Sequence, residues 1–312
     1  MSTTTGALWT HPSVEAIGVS LAVGGVVAGG DRPLVDAVIV GGIGLVAPLS
    51  LGRSTLWTLA AVSTAAALII SPGPLATVLV LPALAAALGA GLSAASHLQL
   101  RGISSAVEHL RSLDAIALIL GPAWACVAIG SLMASTAGVE LFSIGEPIVR
   151  LTAVHYLYAG VGTLAVARRL RNERGPTRTT TLALAATGIA PPIVATGFVL
   201  GHPGPQIGGS ILMTLGVWTS AAVLLARVKR TSSGRVAALR VAAGLTPWVP
   251  MVLAVAWATA QHVAGVPALS IPDMTRFHGL VNGIGFVLLG LLATRPPVSA
   301  AESEQMLLGV TA

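Results

Sequence analysis

Two histidines stand in long apolar stretches with similar neighbours. Around the first the chain reads Glu146-Pro147-Ile148-Val149-Arg150-Leu151-Thr152-Ala153-Val154-His155-Tyr156-Leu157-Tyr158, and around the second Thr275-Arg276-Phe277-His278-Gly279-Leu280-Val281-Asn282-Gly283-Ile284-Gly285. At helical spacing Thr152, His155 and Ala159 share a stripe with Tyr158 beside them, and Glu146 and Arg150 fall within one turn. Thr275, His278, Asn282 and Gly285 form a second stripe. Aligned on histidine, both segments read Thr-x-x-His followed by Gly-x-Gly at the same offset, Gly160 and Gly162 in one and Gly283 and Gly285 in the other. A carboxyl group and imidazoles in an apolar setting are the equipment of acid–base catalysis. Glu146 is the candidate proton donor, and His155 and His278 are the candidate bases. Tyr158, Asn282, Arg150 and Asp273 are candidate substrate contacts. Asp273 and Arg276 also fit a simpler role at a membrane interface, where long side chains reach toward water.

The elements that hold these residues follow from composition. Hydrophobic residues make up 54% of the 312 and charged residues only 9%, with a mean hydropathy of +0.86, whereas a soluble domain carries about a quarter charged residues. The expected fold is all-α, a polytopic transmembrane bundle of about ten helices, since about 20 apolar residues cross a bilayer. Cutting at Pro, Gly and charges places helix cores at 13–30, 34–51, 55–70, 75–95, 114–135, 148–167, 180–201, 206–226, 240–264 and 275–294. Residues 1–295 form one membrane domain, and 296–312 a short cytoplasmic tail. A short amphipathic helix is expected at 102–113.

Charge placement supports that division. Of the 17 Lys and Arg, only Arg32, Arg150 and Arg276 follow odd-numbered helices; the rest follow even-numbered ones. Basic residues in short loops stay cytoplasmic, so both termini are placed there, in a bacterial inner membrane. The net charge of +6 is then an orientation signal, and nucleic acid is not an expected partner. The expected partners are the bilayer and a lipophilic small molecule. Cys126 is the only cysteine, which rules out an intrachain disulfide. The absence of His-x-x-x-His and His-Glu-x-x-His spacings argues against a metal site, and no cofactor is expected. His202 and His262 read as turn and helix-end histidines, and His97 and His109 as solvated ones. Pro191-Pro192, Pro247 and Pro250 should kink their helices.

The strings Glu-Pro-Ile-Val-Arg-Leu-Thr-Ala-Val-His-Tyr at 146–156 and His-Gly-Leu-Val-Asn-Gly-Ile-Gly-Phe at 278–286 resemble the paired signatures of the YndJ-like family of bacterial membrane proteins. Tyr156 stands where that family's motif has Phe. The resemblance implies a multi-helix membrane fold and points to Glu146, Arg150, His155, His278 and Asn282; it brings no activity with it.

Ionisable groups at membrane depth are costly, so each marks a candidate site. One reading is a membrane-embedded isomerase or cyclase, performing isomerisation, epoxide opening or cyclisation on a lipophilic substrate in the outer half of the bundle. The alternative is a proton-coupled transporter of a small molecule, with the two histidine helices as related elements. A third is an accessory subunit whose polar stripes join helices by hydrogen bonds.

Overall fold

Apolar runs without water must satisfy their backbone internally, and this chain does so with helices. A computed structural model of the protein describes residues 31–100, 112–231 and 233–295. It is helical throughout, with no strand among the described residues. The expected helix at 13–30, most of the amphipathic segment at 102–113 and the tail 296–312 lie outside the described residues.

Helix α1 (31–51) joins Asp31–Gly41, a π-helical stretch Gly42–Val46 and Ala47–Leu51. It is followed by α2 (Thr55–Ile69), α3 (Pro74–Leu100) and α4 (Leu113–Ala137). Helix α5 (148–174) joins Ile148–His155, a π-helical stretch Tyr156–Gly162 and Thr163–Arg174. Then come α6 (Arg178–Leu200) and α7 (Pro203–Ala226). Helix α8 is in two pieces, Gly234–Leu245 and Trp248–Ala260, while α9 (271–293) joins Ile271–Met274, a π-helical stretch Thr275–Leu288 and Leu289–Ala293. The expected boundaries hold within a few residues, apart from the longer reach of α3 and α5 and the earlier start and break of α8. That break falls at Thr246-Pro247, since proline has no N–H and its ring clashes with the preceding turn. Pro191-Pro192, by contrast, stay inside a continuous α6.

Seven of the described helices are long and apolar enough to cross a membrane. Helix α2 is apolar but only 15 residues long, and α5 carries Arg150, His155 and a basic final turn. The outer surface is apolar as well: Ile69, Leu92, Leu200 and Val249 are each more than half exposed. A surface of this kind is stable in hydrocarbon rather than in water.

Small residues let the helices approach closely. Ala60, Ala83, Ala87, Ala125 and Ala128 are fully buried where α2, α3 and α4 meet, and Val166, Leu224, Phe286 and Leu291 fill the contact of α5, α7 and α9. Gly162 shows why no larger residue fits: a Cβ there would lie 2.3 Å from Val287 Cγ1 and 3.0 Å from Val46 Cγ1.

The helices with π-helical stretches run side by side. At one end Arg150 of α5 meets Asp36 of α1. At the other, the Arg169 guanidinium donates to the Leu49 and Leu291 carbonyls, in the last turns of α1 and α9. A cation at helix C-termini suits their partial negative charge and their unpaired carbonyls. The same end holds Arg171 against Asp114 at 3.0 Å and Arg240 against Glu173 at 2.9 Å.

Candidate functional site

A cavity of about 500 Å³ opens between α1, α4, α5, α6, α7, α8 and α9, within the range of small-molecule sites. Its wall is mostly aliphatic and aromatic, with Val38, Phe198, Met213, Trp257 and Phe286 among its residues. Leu141, Phe142 and Ile144, from the connection between α4 and α5, complete it. There Leu141 and Ile144 exchange backbone hydrogen bonds of 3.0 and 2.9 Å across a tight turn. Phe142 and Ser143 both have positive φ, 53° and 63°, the twist of a type I′ turn.

The stripes of α5 and α9 face each other across this cavity. The imidazoles of His155 and His278 lie with ring centroids 6.4 Å apart and planes 22° from parallel. His155 Nδ1 is 2.8 Å from the Leu151 carbonyl of its own helix. His278 Nδ1 is 2.8 Å from the carbonyl of Pro250, in α8. A carbonyl only accepts, so each Nδ1 carries the hydrogen and each Nε2 keeps its lone pair. The proline at 250 breaks no bond here that matters; its carbonyl orients a histidine on another helix. Asn282, one turn beyond His278, places Nδ2 3.3 Å from His278 Nδ1 and 3.4 Å from Met251 Sδ. Its Oδ1 is buried without a partner. Tyr158 donates its hydroxyl to the Val38 carbonyl of α1 at 3.0 Å. Its ring rests on Gly283, where a Cβ would come within 3.1 Å of ring carbons.

Glu146 and Arg150 belong to a different constellation. Arg150 is 6% exposed; one terminal nitrogen donates to Asp36 Oδ1 at 2.7 Å and Nε to Ser135 Oγ at 3.1 Å. Ser135 in turn donates to Glu146 Oε1, which also lies 3.7 Å from Arg150 Nε. This network pins the first turn of α5 to α1 and α4. Glu146 stands two residues before α5 begins, and neither it nor Arg150 lines the cavity. Asp273 sits at the opening turn of α9, where Ser270 caps its N–H at 3.3 Å and donates to its carboxylate at 2.7 Å. Arg276 lies 3.8 Å from it. The structure therefore brings together His155, His278, Tyr158 and Asn282, and sets Glu146, Arg150 and Asp273 apart.

His262 meets Gln206 side chain to side chain, and the His202 ring accepts from Gly204 N at 3.1 Å, capping the start of α7. Among the described residues no group of three or more His, Cys, Asp and Glu could hold a metal ion.

The π-helical stretches are the feature that spacing did not reveal. Each contains Gly-x-Gly: Gly42 and Gly44 in α1, Gly160 and Gly162 in α5, Gly283 and Gly285 in α9. Stretches of this hydrogen-bond register concentrate at functional sites. Two of them, Tyr156–Gly162 and Thr275–Leu288, contribute residues to the cavity wall. The two later glycine pairs were legible as a recurring motif; Gly42 and Gly44 carry no histidine and so no chemical signal.

A family model for YndJ-like proteins matches residues 42–286, most of the chain and all three glycine pairs. The chain belongs to the YndJ-like family. The match begins in the first π-helical stretch and ends at Phe286 in the last, so both histidine segments of this YndJ-like chain fall inside it. Neither the curated proteins nor the solved structures contain a match.

Proposed function

We propose that this YndJ-like protein is an integral membrane enzyme performing acid–base chemistry on a lipophilic small molecule held between α5 and α9. The observation that carries the reading is the facing pair His155 and His278, each with Nδ1 tied to a carbonyl and Nε2 available in a mostly apolar cavity of substrate size. An imidazole fixed in one tautomer is a positioned general base. One Nε2 removes a proton from the substrate, and the resulting imidazolium returns it to a second atom. Protons balance, as in an isomerisation. Asn282 supports a substrate oxygen as charge develops on it. Glu146, Arg150 and Asp36 hold the helix starts in place, and Asp273 steadies the Ser270 cap of α9. The reading assumes about ten helices with both termini in the cytoplasm, in a bacterial inner membrane.

A proton-coupled transporter is the second reading, favoured by one observation. Four of the seven helices around the cavity are interrupted, α1, α5 and α9 by π-helical stretches and α8 by Pro247, and interrupted helices around a central site are a transporter trait. An untargeted metabolite comparison of cells with wild-type protein, His155→Ala and His278→Ala, extracting cells and medium separately, tests both. A compound whose structure changes with the substitutions supports catalysis. A compound that only shifts between cells and medium replaces it with transport, and no difference in either fraction overturns both readings.

A further inference from the structure

Hydrogen-bond accounting at the cavity wall narrows what can occupy it. Thr152, His155, Thr163, Ser210 and Thr275 each give their hydrogen to the backbone carbonyl four residues earlier in their own helix. Ser131, Tyr158 and His278 give theirs to carbonyls of neighbouring helices, those of Val149, Val38 and Pro250, at 2.6, 3.0 and 2.8 Å. Tyr156 aims its own at the Pro191 carbonyl at 3.5 Å. All of these side chains line the cavity. A hydroxyl or imidazole whose only hydrogen is committed offers the cavity lone pairs alone. The Asn282 carboxamide and the Trp257 indole are the remaining side-chain donors in the described wall. No Lys, Arg, Asp or Glu lines it among the described residues.

Such a wall disfavours three kinds of occupant. A carboxylate or phosphate would meet lone pairs with no cation to compensate it. A permanent cation would lack a carboxylate. A hydrocarbon would leave the His155 and His278 Nε2 atoms desolvated and unpaired, which is costly in an apolar setting. We infer that the cavity binds a neutral lipophilic molecule carrying a hydroxyl, an alcohol or phenol, and that this O–H is donated to Nε2 of His155 or His278. The inference rests on the proposed function only in using the same cavity. It gives that reading its substrate class, since a hydroxyl donated to Nε2 is aligned for proton removal.

The test uses the full chain in lipid nanodiscs and equilibrium binding of four unreactive probes of matched length: 4-octylphenol, 4-octylanisole, 4-octylbenzoate and 4-octylphenyl phosphate. The phenol should bind about tenfold tighter than its methyl ether, which has the same shape but no hydrogen to give, and the two anions should bind more weakly than either. His155→Phe and His278→Phe, measured singly and together, should reduce the phenol-to-anisole ratio toward one. Retained anisole binding shows that a variant is folded, so a lost ratio cannot be ascribed to misfolding. Equal binding of phenol and anisole to the wild type overturns the inference, as does tighter binding of benzoate or phosphate. Because the probes do not react, the outcome is independent of catalysis. A phenol preference without any altered metabolite would leave the binding class standing and remove the enzyme, while an altered metabolite without the preference would do the reverse.

Discussion

The ion pair at the start of α5 allows a prediction with a magnitude. The Arg150 and Asp36 side chains are 7% and 18% exposed and 2.7 Å apart. At an effective dielectric constant of about 20 their attraction is about 6 kcal/mol before desolvation is deducted. Glu146 is 3.7 Å from the same guanidinium but its side chain is 48% exposed, so water screens it and its share falls to about 0–1 kcal/mol. Removing Arg150 alone leaves the Asp36 carboxylate confined without its partner, a loss of about 3–5 kcal/mol. Arg150→Met should therefore destabilise the protein by that amount, Glu146→Gln by about 1 kcal/mol or less, and the double substitution Asp36→Asn with Arg150→Met by clearly less than Arg150→Met alone. Reversible unfolding in mixed micelles, followed by circular dichroism against denaturing detergent fraction, reads all three. If Arg150→Met is no worse than Glu146→Gln, or the double variant is as damaged as the single one, the pair is not the clamp described here. A large effect of Glu146→Gln on metabolites without loss of stability would return Glu146 to the chemistry.

Three further substitutions probe how α1, α5, α8 and α9 fit together. At Gly285 a Cβ would lie 2.2 Å from Thr246 Cγ2, whereas at Gly130 nothing lies within 4 Å. Gly285→Ala should cost about 1–3 kcal/mol from overpacking, and Gly130→Ala should gain up to about 1 kcal/mol from helix propensity; opposite signs in the same unfolding assay are expected, and equal stability would refute the close approach of α8 and α9. Tyr158→Phe keeps the ring on Gly283 but removes the hydrogen bond to the Val38 carbonyl, a loss of about 0.5–1.5 kcal/mol; stability within about 0.3 kcal/mol of wild type would mean that the hydroxyl does not tie α5 to α1.

What the sequence made legible is what local rules control. Helix positions follow from apolar runs and from breakers such as Pro247, and the histidine stripes follow from a period of 3.6 residues. The pairing of side chains across helices does not follow from either. Asp36 and Arg150 are 114 positions apart, and the only sequence clue was that opposite charges stranded near the same end of apolar helices need one another. Glu146 looked catalytic because it shares a helix turn with Arg150 and a segment with His155. Once Asp36 and Ser135 are placed, the carboxylate's neighbours are a guanidinium and a hydroxyl rather than an imidazole. The donor-poor character of the cavity was equally hidden: a threonine in a helix is a possible donor on paper, and it is left with lone pairs alone once the carbonyl four residues earlier takes its hydrogen. The histidines make the same point more sharply, because their order in the chain says nothing about tautomer. It is the Leu151 and Pro250 carbonyls, one from the same helix and one from a broken neighbour, that put the hydrogen on Nδ1 and leave the lone pair on Nε2 in both rings.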